Sequence, residues 1–356
     1  MDDKFWKIIF YLSYFIVTGV FSFLINGLFL KFASTLGIRN PQDTVIRWSA
    51  TAKPALGGIS FYLIFLISIA SHSIFFEKTQ LIVNKPLLGI LASCTLAFLM
   101  GLADDSYNTR PVLKFIIQVL CGCILIYTGT YISIFNNSYL NYTLTLFWVV
   151  GLMNSINMLD NMDGITTSVS ICILFSAIIL LLTNGSGSNG NIVLLIGVMA
   201  ALVGFLFFNW QPAKLYMGDT GSQFLGLFLA AMGIIYFWNA PDSNGDLIPS
   251  KQFFIALLAF AIPIIDTASV TINRLLKGKS PFVGGKDHTT HSLFFMGLTE
   301  KRIAVLYIGI SFGSLFLNYL IITQIENWGY LHIVLFSIYF IVLFLFLFKP
   351  VLKKGL

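Results

Sequence analysis

Charge is what this chain has least of: Asp, Glu, Lys and Arg make up 10% of its 356 residues, against 57% hydrophobic residues. So few charges cannot cover a water-soluble globule of that length. Cysteine is scarce as well. Cys94, Cys121, Cys123 and Cys172 all fall inside apolar segments without metal-ligand spacing, which argues for small packing residues and against a disulfide framework or a zinc site. An internal repeat, a low-complexity tail and a separate soluble domain are missing too, so residues 1–356 read as a single membrane domain. The formal net charge of +6 is spread over short loops, where it reads as topology and attraction to anionic headgroups; nothing in it points to nucleic acid.

What the chain does have is apolar runs of roughly 18 to 25 residues, the length that crosses about 30 Å of hydrocarbon as helix. The expectation is an all-α, polytopic transmembrane bundle of about 11 spans: 5–31, 56–76, 87–103, 112–134, 142–158, 165–183, 191–209, 221–239, 252–274, 303–324 and 328–348. Sixteen of the 21 Lys and Arg residues fall on one side of this arrangement and five on the other. The positive-inside rule then puts the N-terminus outside and the C-terminus in the cytoplasm. The first run is too long for a signal-peptide core and lacks a small-residue cleavage site, so it is expected to be retained. The outer loops are plain, including the Asn184 to Asn191 stretch and the turn-rich segment 239–250. The inner loops 32–55, 104–114, 154–165, 209–222 and 275–302 carry the polar chemistry.

Nearly all the carboxylates cluster at the ends of apolar segments, which points to a cation site at a membrane face. The run GLADDSYNTRPVLKF sets Asp104 and Asp105 at a helix end, where they repel unless a cation or basic partner holds them. Lys114 follows in the first turn after Pro111. That combination suits phosphate chemistry, and a solvated loop with a snorkelling lysine is the plainer alternative. In NSINMLDNMDGI, Asn154, Asn157 and Asp160 are spaced by three on one helical face, and Asp163 continues the series if the turn persists up to Gly164. Their oxygens suit Mg²⁺ or a nucleoside, and an interhelical polar network would use them as well. A third segment brings Asn209, Lys214 and Tyr216 close to Asp219, which alone would pass for a helix cap. The fourth holds Asp266, in a span that Pro263 can kink, then Asp287, His288 and His291. The two histidines could donate to phosphate or carry protons, and a zinc fragment would need a cysteine that is not nearby.

Over nearly the full length, in order, these motifs resemble the polyprenyl-phosphate N-acetylaminosugar-1-phosphate transferases, the glycosyltransferase 4 type that is WecA- and TagO-like and related to MraY. The resemblance rests on KPALGG at 53–58, the Asp-Asp followed by Pro-x-x-Lys, and Asn-x-x-Asn-x-x-Asp-x-x-Asp-Gly. It continues through Asn-x-x-Pro-Ala leading to Met-Gly-Asp-x-Gly-Ser and ends with a basic loop carrying histidines. It implies transfer of a sugar 1-phosphate from a UDP-sugar to undecaprenyl phosphate, with release of UMP. It also implies Mg²⁺ as cofactor, with Mn²⁺ able to substitute, and a site at the cytoplasmic face. By that analogy Asp219 and Asn157 hold the metal, and Asp104 and Asp105 are the catalytic pair beside the acceptor phosphate. Lys114, Asp160, Asp163, Asn209, Tyr216, His288 and His291 bind substrate, Tyr216 by stacking on uracil.

The chain departs from the family pattern at Asn108, at Asn161, at Lys286 and Asp287, and in the His-Thr-Thr-His spacing. These departures bear on the donor sugar, and they favour UDP-GlcNAc or a related aminosugar over UDP-MurNAc-pentapeptide. The expected partners are the lipid bilayer, undecaprenyl phosphate and the UDP-sugar, with a homodimer left open. An ion-coupled transporter, the rival from another class, would set its acids near the bilayer midplane.

Overall fold

A polar backbone can cross hydrocarbon only with its hydrogen bonds closed internally, and runs this long and apolar do so as helices. The computed structural model describes residues 3–32, 53–75, 84–184, 191–241, 245, 247–280 and 285–353, and every regular element among them is helical. The chain is a multi-pass helical membrane protein. Its elements are α1 (Asp3–Phe32), α2 (Gly57–Phe75), α3 (Lys85–Tyr107), α4 (Pro111–Tyr127), α5 (Ser138–Leu159), α6 (Ile165–Asn184) and α7 (Asn191–Asn209). They continue with α8 (Gly218–Gly233), which runs on into a π turn (Ile234–Trp238), then α9 (Pro249–Ala259), α10 (Ala261–Leu276), α11 (Thr289–Phe295), α12 (Glu300–Thr323) and α13 (Tyr330–Lys353). Among the described residues nine helices are long and apolar enough to span, and a tenth span is reached if the bent α9 and α10 pair is taken as one. The eleventh expected span is α4, which at 17 residues is shorter than the segment 112–134.

The starts follow local chemistry. Asn84 and Asn137 accept backbone N–H groups of the first turns of α3 and α5, and proline opens α4 and α9. The expected single span 252–274 is instead two helices bent by 82° at Phe260. Pro263 has no N–H to give the Ala259 carbonyl, so α9 stops at Ala259 and the chain turns at Phe260. The segment 275–302 also contains a short helix, α11, that its sequence did not lead one to expect. Most of 32–55, with Arg39 and Arg47, lies outside the described residues, as do 185–190, part of 239–250, 281–284, Lys78 and Lys354.

The centre of the bundle is α8, whose spanning window is 94% buried, whereas those of α1 and α13 are only 11% and 22% buried and face outward. Helices α2, α3 and α5 pack around α8. The approach of α3 is closest at Gly101, where a Cβ would lie 2.2 Å from the Asp219 carbonyl oxygen. Only glycine allows the end of α3 to press against the start of α8. Cys94, Cys121 and Cys172 are buried in this packing, while Cys123 is exposed.

Candidate active site

The end of α3 and the start of α4 form one tight corner. Asn108 adopts a left-handed conformation (φ 52°) and donates its N–H to the Asp104 carbonyl. That turns Thr109 back, so that its N–H (2.8 Å) and hydroxyl (2.6 Å) both donate to Asp104 Oδ1. Pro111 then starts α4 and puts Lys114 in the first turn, where its ammonium pairs with Asp104 Oδ2 and, at 3.1 Å, with Asp219 Oδ2. Asp219 therefore shares one cation with Asp104.

Asp219 sits in the first turn of α8 and is gripped from three other helices. Asp105, on α3, accepts the Asp219 N–H at 3.0 Å, the Thr220 N–H at 2.8 Å and the Thr220 hydroxyl at 2.7 Å. It thus serves as the N-terminal cap of α8, supplied from a neighbouring helix. Lys114 comes from α4. Asn157, on α5, donates at 2.7 Å to Asp219 Oδ1 and at 2.8 Å to the Ser222 hydroxyl. The expected catalytic and metal residues Asp104, Asp105, Asn157 and Asp219 thus meet in one cluster with Lys114.

The expected stripe from Asn154 to Asp163 divides. Helix α5 ends at Leu159, Asp160 occupies its C-terminal cap position, and Gly164 turns the chain at φ 73°. Asp163 lies past the helix, where it accepts the Ala213 N–H at 2.8 Å and pairs with Lys53 at 3.7 Å. The same lysine stands 5.0 Å over the Tyr216 ring, and the Tyr216 N–H donates to the Pro54 carbonyl. Asn209 is buried; its side chain accepts from Gly164 N–H and the Thr167 hydroxyl and donates to the Leu215 carbonyl, so it braces the loop after α7.

The histidine loop hangs from α10. Asp266 is 1% exposed, and its carboxylate pairs with His288 Nδ1 at 2.8 Å and accepts the Thr289 N–H and hydroxyl. The Thr289 hydroxyl also meets the Tyr307 hydroxyl of α12 at 2.6 Å. Asp287 forms a two-point pair with Arg274, at 2.9 and 2.7 Å. Burial raises the Asp287 carboxyl, but the hydrogen bonds and charge of Arg274 outweigh it and hold the group below the usual carboxylate range. The His288 and His291 rings meet edge to face with centroids 5.4 Å apart. Thr290 donates to Asn161 Oδ1 at 2.6 Å, tying this loop to the turn after α5. The end of α5 and the turn at 160–164 are therefore the hub: Asn157 leads to Asp219, Asn161 to the histidine loop and Asp163 to the loop after α7.

Sequence reasoning gave Lys53 no role beyond opening the KPALGG motif, and it did not single out the tie between Asp266 and His288 or the amides Gln118 and Gln223. The signal for the amides was present: each lies four residues after Lys114 or Asp219 in an otherwise apolar helix.

Among the described residues no three His, Cys, Asp or Glu side chains are grouped to hold a metal by themselves. The donor set still fits Mg²⁺, which takes one or two carboxylates and fills its octahedron with water and substrate phosphate. Asp219 supplies a carboxylate; Asn157 touches it through its amide nitrogen and would offer Oδ1 to a cation only with the amide turned over, and the ammonium between Asp104 and Asp219 marks where positive charge is favoured.

A family model described as glycosyl transferase family 4 matches residues 87–237, from α3 through the π turn. The chain is 27% identical over 265 residues to a probable undecaprenyl-phosphate N-acetylglucosaminyl 1-phosphate transferase of Bacillus subtilis (strain 168), covering 72% of this chain and 70% of the relative. It is 25% identical over 332 residues to a decaprenyl-phosphate N-acetylglucosaminephosphotransferase of Mycobacterium leprae (strain TN), covering 84% and 81%. Identity is 31% over 248 residues to a phospho-N-acetylmuramoyl-pentapeptide-transferase of Streptococcus agalactiae serotype Ia, covering 62% and 72%.

Proposed function

Since this chain belongs to glycosyl transferase family 4, we propose that it is a Mg²⁺-dependent polyprenyl-phosphate sugar-1-phosphate transferase that moves GlcNAc 1-phosphate from UDP-GlcNAc to undecaprenyl phosphate. A lipid phosphate oxygen attacks the sugar-bearing phosphorus of the donor, the bond from that phosphorus to the UMP oxygen breaks, and a diphosphate-linked lipid remains. That product starts a cell-surface polysaccharide. The observation that carries the reading is Asp219, mounted at the tip of the buried helix α8 and held by residues of α3, α4 and α5.

Both reactants are anions, so the chemistry needs fixed positive charge where they meet. Lys114 supplies an ammonium to the phosphates once substrate competes with Asp104 and Asp219 for it. Asp104 orients the acceptor phosphate, and Asp105 keeps the start of α8 and therefore Asp219 in place. Asp160 and Asp163 hold the nucleotide, Tyr216 stacks on uracil, Asn209 fixes the loop that presents it, and His288 and His291 contact the diphosphate or sugar. A Mg²⁺ held by Asp219 and Asn157 would supply charge neutralisation on the transferring phosphoryl group and on UMP. We further propose that the whole chain works as one domain in the bacterial cytoplasmic membrane, with its N-terminus outside and this site on the cytoplasmic face, where the nucleotide arrives and the lipid is already in the bilayer.

Use of UDP-MurNAc-pentapeptide is the second reading, favoured by the 31% identical relative. The test is purified protein with undecaprenyl phosphate, Mg²⁺ and a panel of UDP-sugars, with UMP and lipid product measured. UDP-GlcNAc is expected to turn over and chelation to stop it. Turnover of the pentapeptide donor alone would select the second reading, and no product with any donor would remove both.

A further inference from the structure

Below the Lys114, Asn157 and Asp219 group, the same three helices meet again one turn deeper. Gln118 lies four residues after Lys114, Gln223 four after Asp219, and Asn154 three before Asn157, so each stands beneath its partner on the same helix face. Gln118 Nε2 donates to Gln223 Oε1 at 3.1 Å, and Asn154 Nδ2 donates at 2.8 Å to Gln118 Oε1. Gln118 and Gln223 are each only 1% exposed. A turn further on, the helices close up around glycine. A Cβ at Gly226 of α8 would lie 2.8 Å from the Met153 Cα of α5, and one at Gly122 of α4 would lie 2.8 Å from Leu146 Cδ2 of α5. The three helices thus carry a charged tier and an amide tier in succession, with glycines of α8 and α4 packed closely on α5 beyond them.

The buried amides of Gln118 and Gln223 have no water to bond, and the part-buried Asn154 completes their chain, so the two are satisfied only when the three helices stand in one register. A slide or rotation of α4 by one residue would leave at least two amides unpaired, the way a single polar position fixes register in a coiled coil. We propose that Gln118, Gln223 and Asn154 are positioning residues that set the register of α4, α5 and α8, and through it the separation of Lys114, Asn157 and Asp219. The inference rests on the reading of the upper tier as a cation site.

The test is Mn²⁺ affinity of the purified full-length protein without substrate, followed by electron paramagnetic resonance, with thermal stability measured in parallel. Gln118→Leu and Gln223→Leu are expected to weaken Mn²⁺ about tenfold, the scale on which residues supporting metal ligands act. Gln118→Glu is expected to restore most of the affinity, because a buried, protonated carboxyl donates and accepts at the same reach as the amide. Asn141→Leu is the control for general destabilisation. Asn141 is a buried amide bonded to the Phe135 backbone, about 24 Å along α5 from Asn157; its loss should lower the melting temperature and leave affinity unchanged. If Gln118→Leu does not fold, Gln223→Met answers the same question. Wild-type affinity in the Gln118 and Gln223 variants would overturn the role of the tier while leaving the cation site intact. A wild-type protein that binds no Mn²⁺ would overturn both.

Discussion

Two sets of carboxylates flank the turn at 160–164, and they are neutralised in different ways. Asp266 and Asp287 each have a basic partner of their own, His288 and Arg274. Among the described residues Asp104 and Asp219 share one ammonium, that of Lys114, with further hydrogen bonds from Thr109 and Asn157, and Asp105 beside them is held by the backbone and Thr220 hydroxyl at the start of α8. A balanced set is finished within the fold and serves as scaffold. Among the described residues the acids at the ends of α3 and α8 outnumber the cations beside them, which is the character expected of a set that takes positive charge from outside.

The largest effect that could break this contrast is at Asp219. Asp219→Asn keeps the shape and the bond geometry but removes the charge, so UMP release is expected to fall by about a thousandfold with the melting temperature little changed. Near-wild-type turnover would show that the shared-cation cluster is ordinary scaffold. Asp266→Asn should do the reverse. It removes the acid from a buried pair and is expected to destabilise the protein by about 3 kcal/mol, while turnover of the folded fraction stays at least tenfold above that of Asp219→Asn. Intact stability with turnover as low as that of Asp219→Asn would move Asp266 into the chemistry. The smallest effect concerns Asp287. Its folded pKa is depressed, so its contribution is full above the usual carboxylate value near 3.9 and is lost only as pH falls through the lower folded value. Segment 285–291 should keep its protection from proteases down to about pH 4 and lose it below; unchanged protection at lower pH would mean that Arg274 does not anchor it.

The spans were legible because membrane helices announce themselves by length and apolarity, and α7 matches its expected bounds of 191–209. The break between α9 and α10 was only half legible. Pro263 marks a kink, but an 82° bend needs neighbours that fill the corner, and those are set by packing. At the site, residue types and spacing pointed to clusters of acids at the ends of apolar segments, and the family resemblance joined Asp104, Asp105, Lys114, Asn157 and Asp219 in one chemistry. What spacing does not contain is which acid caps which helix. Asp105 reaches across 114 positions to Asp219, and Asp266 across 22 to His288. Such pairings exist only once α3 has met α8 and the loop has folded back on α10. The positions Asn161 and Thr290, where the chain departs from the family pattern, turn out to touch one another, which a linear reading treats as two separate changes.

Burial of α8 on nearly every side has a consequence for hydrogen exchange. Amides along α8 can trade protons with water only when the bundle itself opens, whereas those of α1 and α13, at the periphery, can exchange through local openings. Asp219 therefore rides on an element expected to exchange at the rate of global unfolding, and the charge it presents is as stationary as the whole protein.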